Sequence, residues 1–345
     1  MFAFDDLVGY ASALLAAAGL DGDKPRVTAR LLLAADAMGH DTHGLAQLPD
    51  YLDDIASGAM RATGVPEIVA DRPAVCVWDG RFLPGLWLTD RAVGLAVERA
   101  RVNGTCVIAI RRSHHIACLA AFLTAATDQG MMVMIASSDP SDAHVAPFGG
   151  TDRVFTPDPI AIGIPTPGDP ILIDVSTSIT TAGMTARLRR EGKRFAGLWA
   201  LDARGQPTDD PAAVSDGSLL PVGGIDHGHK GTGLALMVEA LTQGLSGYGR
   251  ADGETGWGAS VFVQVYDPEL FAGLAGFTRQ TGWIAEACRA SASRDPARPV
   301  RLPGDGALAG LRRAQTTGLS PRAGLLDALR PYSDRLHVPP PLQLT

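Results

Sequence analysis

Charge is scarce in this sequence. Only 19% of its 345 residues are Asp, Glu, Lys or Arg, below the about 25% usual in soluble domains. The 37 acidic side chains outnumber the 30 basic ones, giving a formal net charge of -7. A general nucleic-acid binder needs a basic face to displace counterions, so this balance argues against one. Cysteine is rarer still: Cys76, Cys106, Cys118 and Cys288 are scattered and form no CxxC pair. They read as buried free thiols in a reducing compartment. No apolar run approaches the ~18 residues of a membrane helix. The start, Met1-Phe2-Ala3-Phe4-Asp5-Asp6, is acidic where a signal peptide would be basic. A cytoplasmic protein is expected, with no membrane partner, no nucleic-acid partner, and no internal repeat or low-complexity tract.

Apolar residues, at 46%, and glycine, with 40 positions, are abundant. With 24 prolines, glycine still stays below the ~25–30% combined share that signals disorder. The chain is globular and rich in turns, and its length suits two domains or one large one. Helices open it: Asp5 to Ala18, then Asp23 to Met38 with Val27, Leu31, Ala34, Ala35 and Met38 at helical spacing, then Leu48 to Gly58. From about residue 90 helices and strands alternate. Thr105–Ile110 and Met131–Ala136 are continuous apolar runs, as in strands buried on both faces. With the helical face of Ile116–Asp128 between them they predict a βαβ unit. Ile160–Ile164, Ile171–Val175 and Val261–Tyr266 are further strands, Gly231–Leu245 is a helix, and the chain ends in helices over 268–291, 307–316 and 323–330. The layout predicts an α/β protein. Residues 1–118 with 285–345 are expected to form a helical domain around a central α/β domain at 119–284.

Four segments concentrate chemistry-bearing residues. His40-Asp41-Thr42-His43-Gly44 follows a helix end, and histidine exchanges protons near neutral pH; on spacing alone a helix-capping turn built on Gly44 is the favoured reading. Ser113-His114-His115 follows a strand, where ligands of parallel sheets gather; a hydrogen-bonded turn is the plain alternative. Asp174-Val175-Ser176-Thr177-Ser178 ends a strand with three hydroxyls, suited to a phosphate or ribose or to an Asx/Ser turn. Gly228-His229-Lys230-Gly231-Thr232-Gly233 opens a helix and offers an anion site. It is neither a Walker A loop nor a Rossmann fingerprint, because the spacing of both is wrong. The eight histidines form no HExxH or Cys/His zinc spacing, and no metal site is expected.

Taken together, DTHGLAQLPDYLDDIASG, SHHIACLAAF, VAPFGG, DPIAIGIPTP, LIDVSTS, WALDARGQPTDDP, LLPVGG…HKGTGLALMVEAL and RLPGDG resemble one family across nearly the whole chain. It is the malate/L-lactate/sulfolactate dehydrogenase family, which includes ureidoglycolate dehydrogenase, diketogulonate reductase and Δ1-piperideine-2-carboxylate reductase. The resemblance implies a non-Rossmann NAD(P)-binding fold with a helical domain from both chain ends, a homodimer, and NAD or NADP as cofactor. It implies His43 or His115 as the acid/base. It implies cofactor contacts from Leu172, Ile173, Asp174, Val175, Ser176, Thr177 and Ser178, from His229 and Lys230, and from Gly304, Asp305 and Gly306.

The substrate side departs from the pattern. Gln47 stands where members carry Arg, Thr156-Pro157-Asp158-Pro159 where they read GTNP, HIA for HFG after Ser113-His114, and Met184 for a frequent Lys. Ile225-Asp226-His227-Gly228 looks like an insertion. Gln47 cannot form a bidentate charge-assisted pair, and Pro157 offers neither hydroxyl nor N–H. Each charge-assisted bond is worth roughly 1.5–3 kcal/mol. The expected function is therefore hydride transfer between nicotinamide and a carbonyl/hydroxyl or imine/amine carbon, with Gln47, Pro157 and Ser113 lining a pocket altered from the usual 2-oxo acid site. A cofactor-binding pseudoenzyme, and a His-cluster metal-dependent hydrolase or isomerase, are the alternatives.

Overall fold

The computed structural model describes residues 1–344. Its centre is a seven-stranded sheet in the order β1-β2-β3-β10-β4-β5-β6, where β1 is Glu67–Arg72, β2 Val75–Asp79, β3 Thr105–Ser113, β4 Met132–Ser138, β5 Ile160–Ile164, β6 Ile171–Val175 and β10 Ala259–Tyr266. The two apolar runs do become strands, but they do not form a simple βαβ pair. β10 enters from more than a hundred residues away and pairs antiparallel with both β3 and β4. Only β2 and β3 run parallel.

Residues of these central strands alternate between two cores, as the two-residue strand period requires. Ile108, Ile110, Val133, Ile135, Val261 and Val263 face one cluster. That cluster also holds residues of α4 (Gly85–Asn103) and α5 (Ala120–Thr127), such as Leu88, Ala92, Phe122 and Leu123. Ala136, Ile160 and Phe262 face Val238 of α7 (Gly224–Glu239) on the other side. Burial on both faces is the physical reason the strands read as unbroken apolar runs.

The chain ends close over this layer. α1 (Phe4–Ala17), α2 (Lys24–Ala37) and α3 (Leu48–Ser57) pack with α9 (Asp305–Thr317) and α10 (Leu325–Leu336). Tyr10 of α1 meets Ser333 of α10 in a buried 2.6 Å hydroxyl pair, and Phe2 exchanges backbone hydrogen bonds with Leu319. The helical layer is thus drawn from both termini, and the sheet takes strands from both sides of residue 118. β1 and β2, α6 (Ala182–Arg190) and a small sheet of β7 (Ala200–Leu201), β8 (Pro207–Thr208) and β9 (Ser218–Leu219) complete the fold with α8 (Leu274–Ala290). The glycine-rich stretch from Gly223 is already helical, with His227 as a kink. Among the described residues no helix is long and apolar enough to cross a membrane.

Candidate active site

The first histidine segment is held from below by α2. The helix ends in a Schellman turn: Gly39, at φ +92, donates to Asp36 O, and His40 to Ala35 O. Asp36 then accepts the Leu45 N–H at 2.9 Å. Gly44 has no room for a side chain, since a Cβ there would lie 1.9 Å from Asp36 Oδ1. Burial pushes the Asp36 carboxyl up to about 7, against the Leu45 N–H. The capping turn of the sequence reading is present, and it is what aims His43 at the cavity.

The second segment is fixed by β2, α3 and α4. Arg111 and Arg112, at the end of β3, both bind the buried Asp79. Gly85 opens α4 directly on the turn, where a Cβ would meet the His114 carbonyl at 2.0 Å. His114 is fully buried, T-shaped against Tyr51, and bound through Nε2 to Asp54 at 3.0 Å. Burial, opposed by Asp54, takes it down to about 4. His115 is held by Tyr51, whose hydroxyl lies 2.9 Å from Nδ1, and by Trp257, stacked on it at 4.6 Å.

The His43 and His115 rings meet 6.0 Å apart across a cavity of about 410 Å3. His43 Nδ1 pairs with Thr42 Oγ1 at 2.9 Å. Burial lowers the pKa of both rings, with Asp174 opposing at His43 and with His43 adding to the effect at His115. Both are neutral imidazoles near pH 7, each with Nδ1 engaged and Nε2 left over.

The remaining expected residues fall into three groups. Pro157, Asp174 and Ser176 line the cavity. Asp174 Oδ2 accepts the Ala120 N–H at 2.8 Å. The hydroxyls after it turn inward: Ser176 donates to Ser178 O, Thr177 to Pro157 O and Ser178 to Thr180 O. Leu172, Ile173 and Val175 are in β6, and the Leu172 N–H donates to Pro303 O, which seats Gly304, Asp305 and Gly306 beside that strand. Asp305 is occupied by the Leu302 N–H and Arg289. His229 and Lys230 are exposed on the first turns of α7 and do not line the cavity; Val222, just before that helix, donates its N–H to Thr177 O. Two expected substrate residues stay off the wall. Ser113 is buried and donates to His114 O. Gln47 Nε2 donates to Thr42 O at 2.7 Å.

Tyr51, Trp257, Asp139, Asp142 and His144 were not singled out by the sequence. Tyr51 reads as one more apolar position of α3, and Trp257 sits in an unpatterned Gly-Trp-Gly. Atoms of His40, Cys118 and Asp174, from three segments, lie within 4.8 Å of one another. Burial, with Asp174 next, pushes the Cys118 thiol far up, so it keeps its proton.

Comparison with known proteins follows the same lines. The family model described as malate/L-lactate dehydrogenase matches residues 2–330. A (2R)-3-sulfolactate dehydrogenase (NADP(+)) of Chromohalobacter salexigens is 33% identical over 94% of this chain and 95% of its own. A Delta(1)-pyrroline-2-carboxylate reductase of Ancylobacter novellus is 29% identical over 93% and 94%. The crystal structure of malate dehydrogenase from Entamoeba histolytica superposes with a TM-score of 0.92 over 99% of both chains at 24% identity, a likeness of fold. The match along nearly all of the chain places it in the malate/L-lactate dehydrogenase family, as an oxidoreductase.

Proposed function

We propose that this chain is an NAD(P)-dependent dehydrogenase or reductase moving a hydride between nicotinamide and a carbonyl/hydroxyl or imine/amine carbon, in a pocket altered from that for 2-oxo acids. The observation that carries the reading is the pair of neutral histidines 6.0 Å apart across one cavity. Its volume falls in the ~300–1,000 Å3 range of small-molecule sites. Outside the cavity wall, exposed His229 and Lys230 on the first turns of α7 would offer donors to a cofactor phosphate. The backbone of Leu172–Ser178 and Gly304–Gly306 would carry the rest of the cofactor. The cofactor supplies the hydride when bound. NADP, named for the Chromohalobacter relative, and NAD are both candidates.

The chain's own residues supply proton handling and enclosure. With Nδ1 engaged, each histidine has Nε2 to offer a substrate heteroatom, so His43 or His115 holds or takes the proton as charge develops. Trp257 covers His115 and keeps water from that face. The proposed division of labour gives 1–118 and 285–345 the histidines and the dimer contacts, and 119–284 the cofactor side. A homodimer is supported by the exposed apolar Leu234, Leu236 and Met237 on α7. A cytoplasmic setting is supported by four unpaired cysteines.

The test is fluorescence titration with NADH and NADPH, then nicotinamide oxidation with carbonyl and imine compounds. Micromolar binding of one cofactor and turnover are expected. No binding of either at millimolar concentration overturns the reading.

A further inference from the structure

The cavity wall carries charge of one sign. Asp41, Asp139, Asp142 and Asp174 line it, and no Lys or Arg does so among the described residues. Behind the wall, Arg187 stands 3.8 Å from Asp41 and donates to Met184 Sδ at 3.2 Å, so Asp41 is partly countered. Asp142 is paired with His144 at 2.8 Å, and Arg250 Nε donates to Glu239 at 2.9 Å. Ser141 donates both its N–H and its hydroxyl to Oδ1 of Asp139, leaving Oδ2 without a hydrogen bond. Asp174 receives Ala120 N–H and the Cys118 thiol at Oδ2, leaving Oδ1. Gln47 spends its amide on Thr42 O, and Met184, also on the wall, is uncharged. Beside these free oxygens the Trp257 indole lies over His115, an electron-rich surface of the kind that attracts cations. On the side of Asp139 and Asp174 a carboxylate entering here would meet like charges with no Lys or Arg on the wall to receive it, an arrangement that selects against anions.

Building on the hydride-transfer reading, we infer that the substrate is an iminium cation without a carboxylate group, reduced to the corresponding amine. The step balances without an acid. The hydride of the dihydronicotinamide forms the new C–H bond at the iminium carbon, the C=N π pair moves onto nitrogen, and the products are a neutral amine and the oxidised cofactor. Nitrogen takes a proton afterwards from solvent. Neutral histidines fit this direction and its reverse, in which an imidazole removes a proton from the ammonium before hydride leaves. Reducing a ketone would instead call on them as proton donors, for which burial ill suits them.

A matched pair tests the charge: 1-pyrroline, and the same ring bearing a 2-carboxylate, each assayed with the cofactor that binds. We expect kcat/KM at least about tenfold higher for the ring without the carboxylate. The double variant Asp139→Asn/Asp142→Asn should narrow that ratio chiefly through KM, with Tm showing that it folds. Equal or better use of the carboxylate, a better neutral ketone, or no turnover of 1-pyrroline by cofactor-bound enzyme overturns the inference. Cofactor binding is read separately by fluorescence: binding with the wrong charge preference removes only this inference, whereas no binding removes the oxidoreductase reading beneath it.

Discussion

At His115 one ring nitrogen is already taken, and the group that takes it is fully buried. Burial holds the Tyr51 phenol well above its ordinary range, so it keeps its proton and stays a hydrogen-bond partner at any working pH. Tyr51→Phe keeps the ring packing and deletes that bond, whose net worth is about 0.5–1.5 kcal/mol. The expected outcome is a kcat reduced up to about tenfold, with KM nearly unchanged and Tm lowered by about 2–4 °C; a KM effect alone would speak against a positioning role.

Asp158 makes the second prediction at this scale. It is fully buried at φ +42 and takes the Thr156 hydroxyl at 2.6 Å. Burial, with Glu239 next, pushes its carboxyl up to about 8. The folded chain then binds this proton more tightly than the unfolded one, so its stability contribution is present at low pH and is lost as pH rises toward about 8. Asp158→Asn removes the titration, and asparagine tolerates positive φ. Thermal melts at pH 6 and pH 9 should show the fall in Tm across that interval shrinking by about 2–4 °C in the variant.

Among the elements, α4 decides where the histidine turn sits. Its first residue, Gly85, leaves no space for a methyl group, while Gly94 in the same helix is exposed with nothing within 4 Å of a Cβ. The two alanine variants should therefore differ in sign. Gly85→Ala forces α4 off the His114 and His115 carbonyls, at a cost of about 1–3 kcal/mol, and should lower both Tm and turnover. Gly94→Ala should raise Tm by reducing unfolded-state freedom, worth about 0.4–1 kcal/mol, and leave turnover unchanged. Much of this scale was legible: the ends of α1 and α3 follow from Gly19 and Gly58, and β5 and β6 from their apolar runs. The start of α4 was not, since Asp90 looks like a cap and is in fact interior. β1 was hidden by its mostly exposed residues.

For the whole molecule, the proposed dimer makes a prediction independent of catalysis. Leu236 is 57% exposed on α7, an unfavourable place for a large apolar side chain with no cover. Leu236→Asp should shift sedimentation from dimer to monomer while circular dichroism stays the same. A wild-type chain that sediments as a monomer at micromolar concentration would remove the dimer.

The sequence by itself determined the family blocks, the positions of the histidine segments and the glycines that end α1 and α3. Each is a local feature, written in neighbouring residues or in a short period. Only the tertiary structure decided that β10 separates β3 from β4, that Tyr51 and Trp257 fix His115, and that four carboxylates, with no Lys or Arg among the described residues, line one cavity. Strand order follows from burying both faces of a sheet at once, and cavity charge from which side chains converge after that burial. Both are sums over residues far apart in the chain, which no local pattern records.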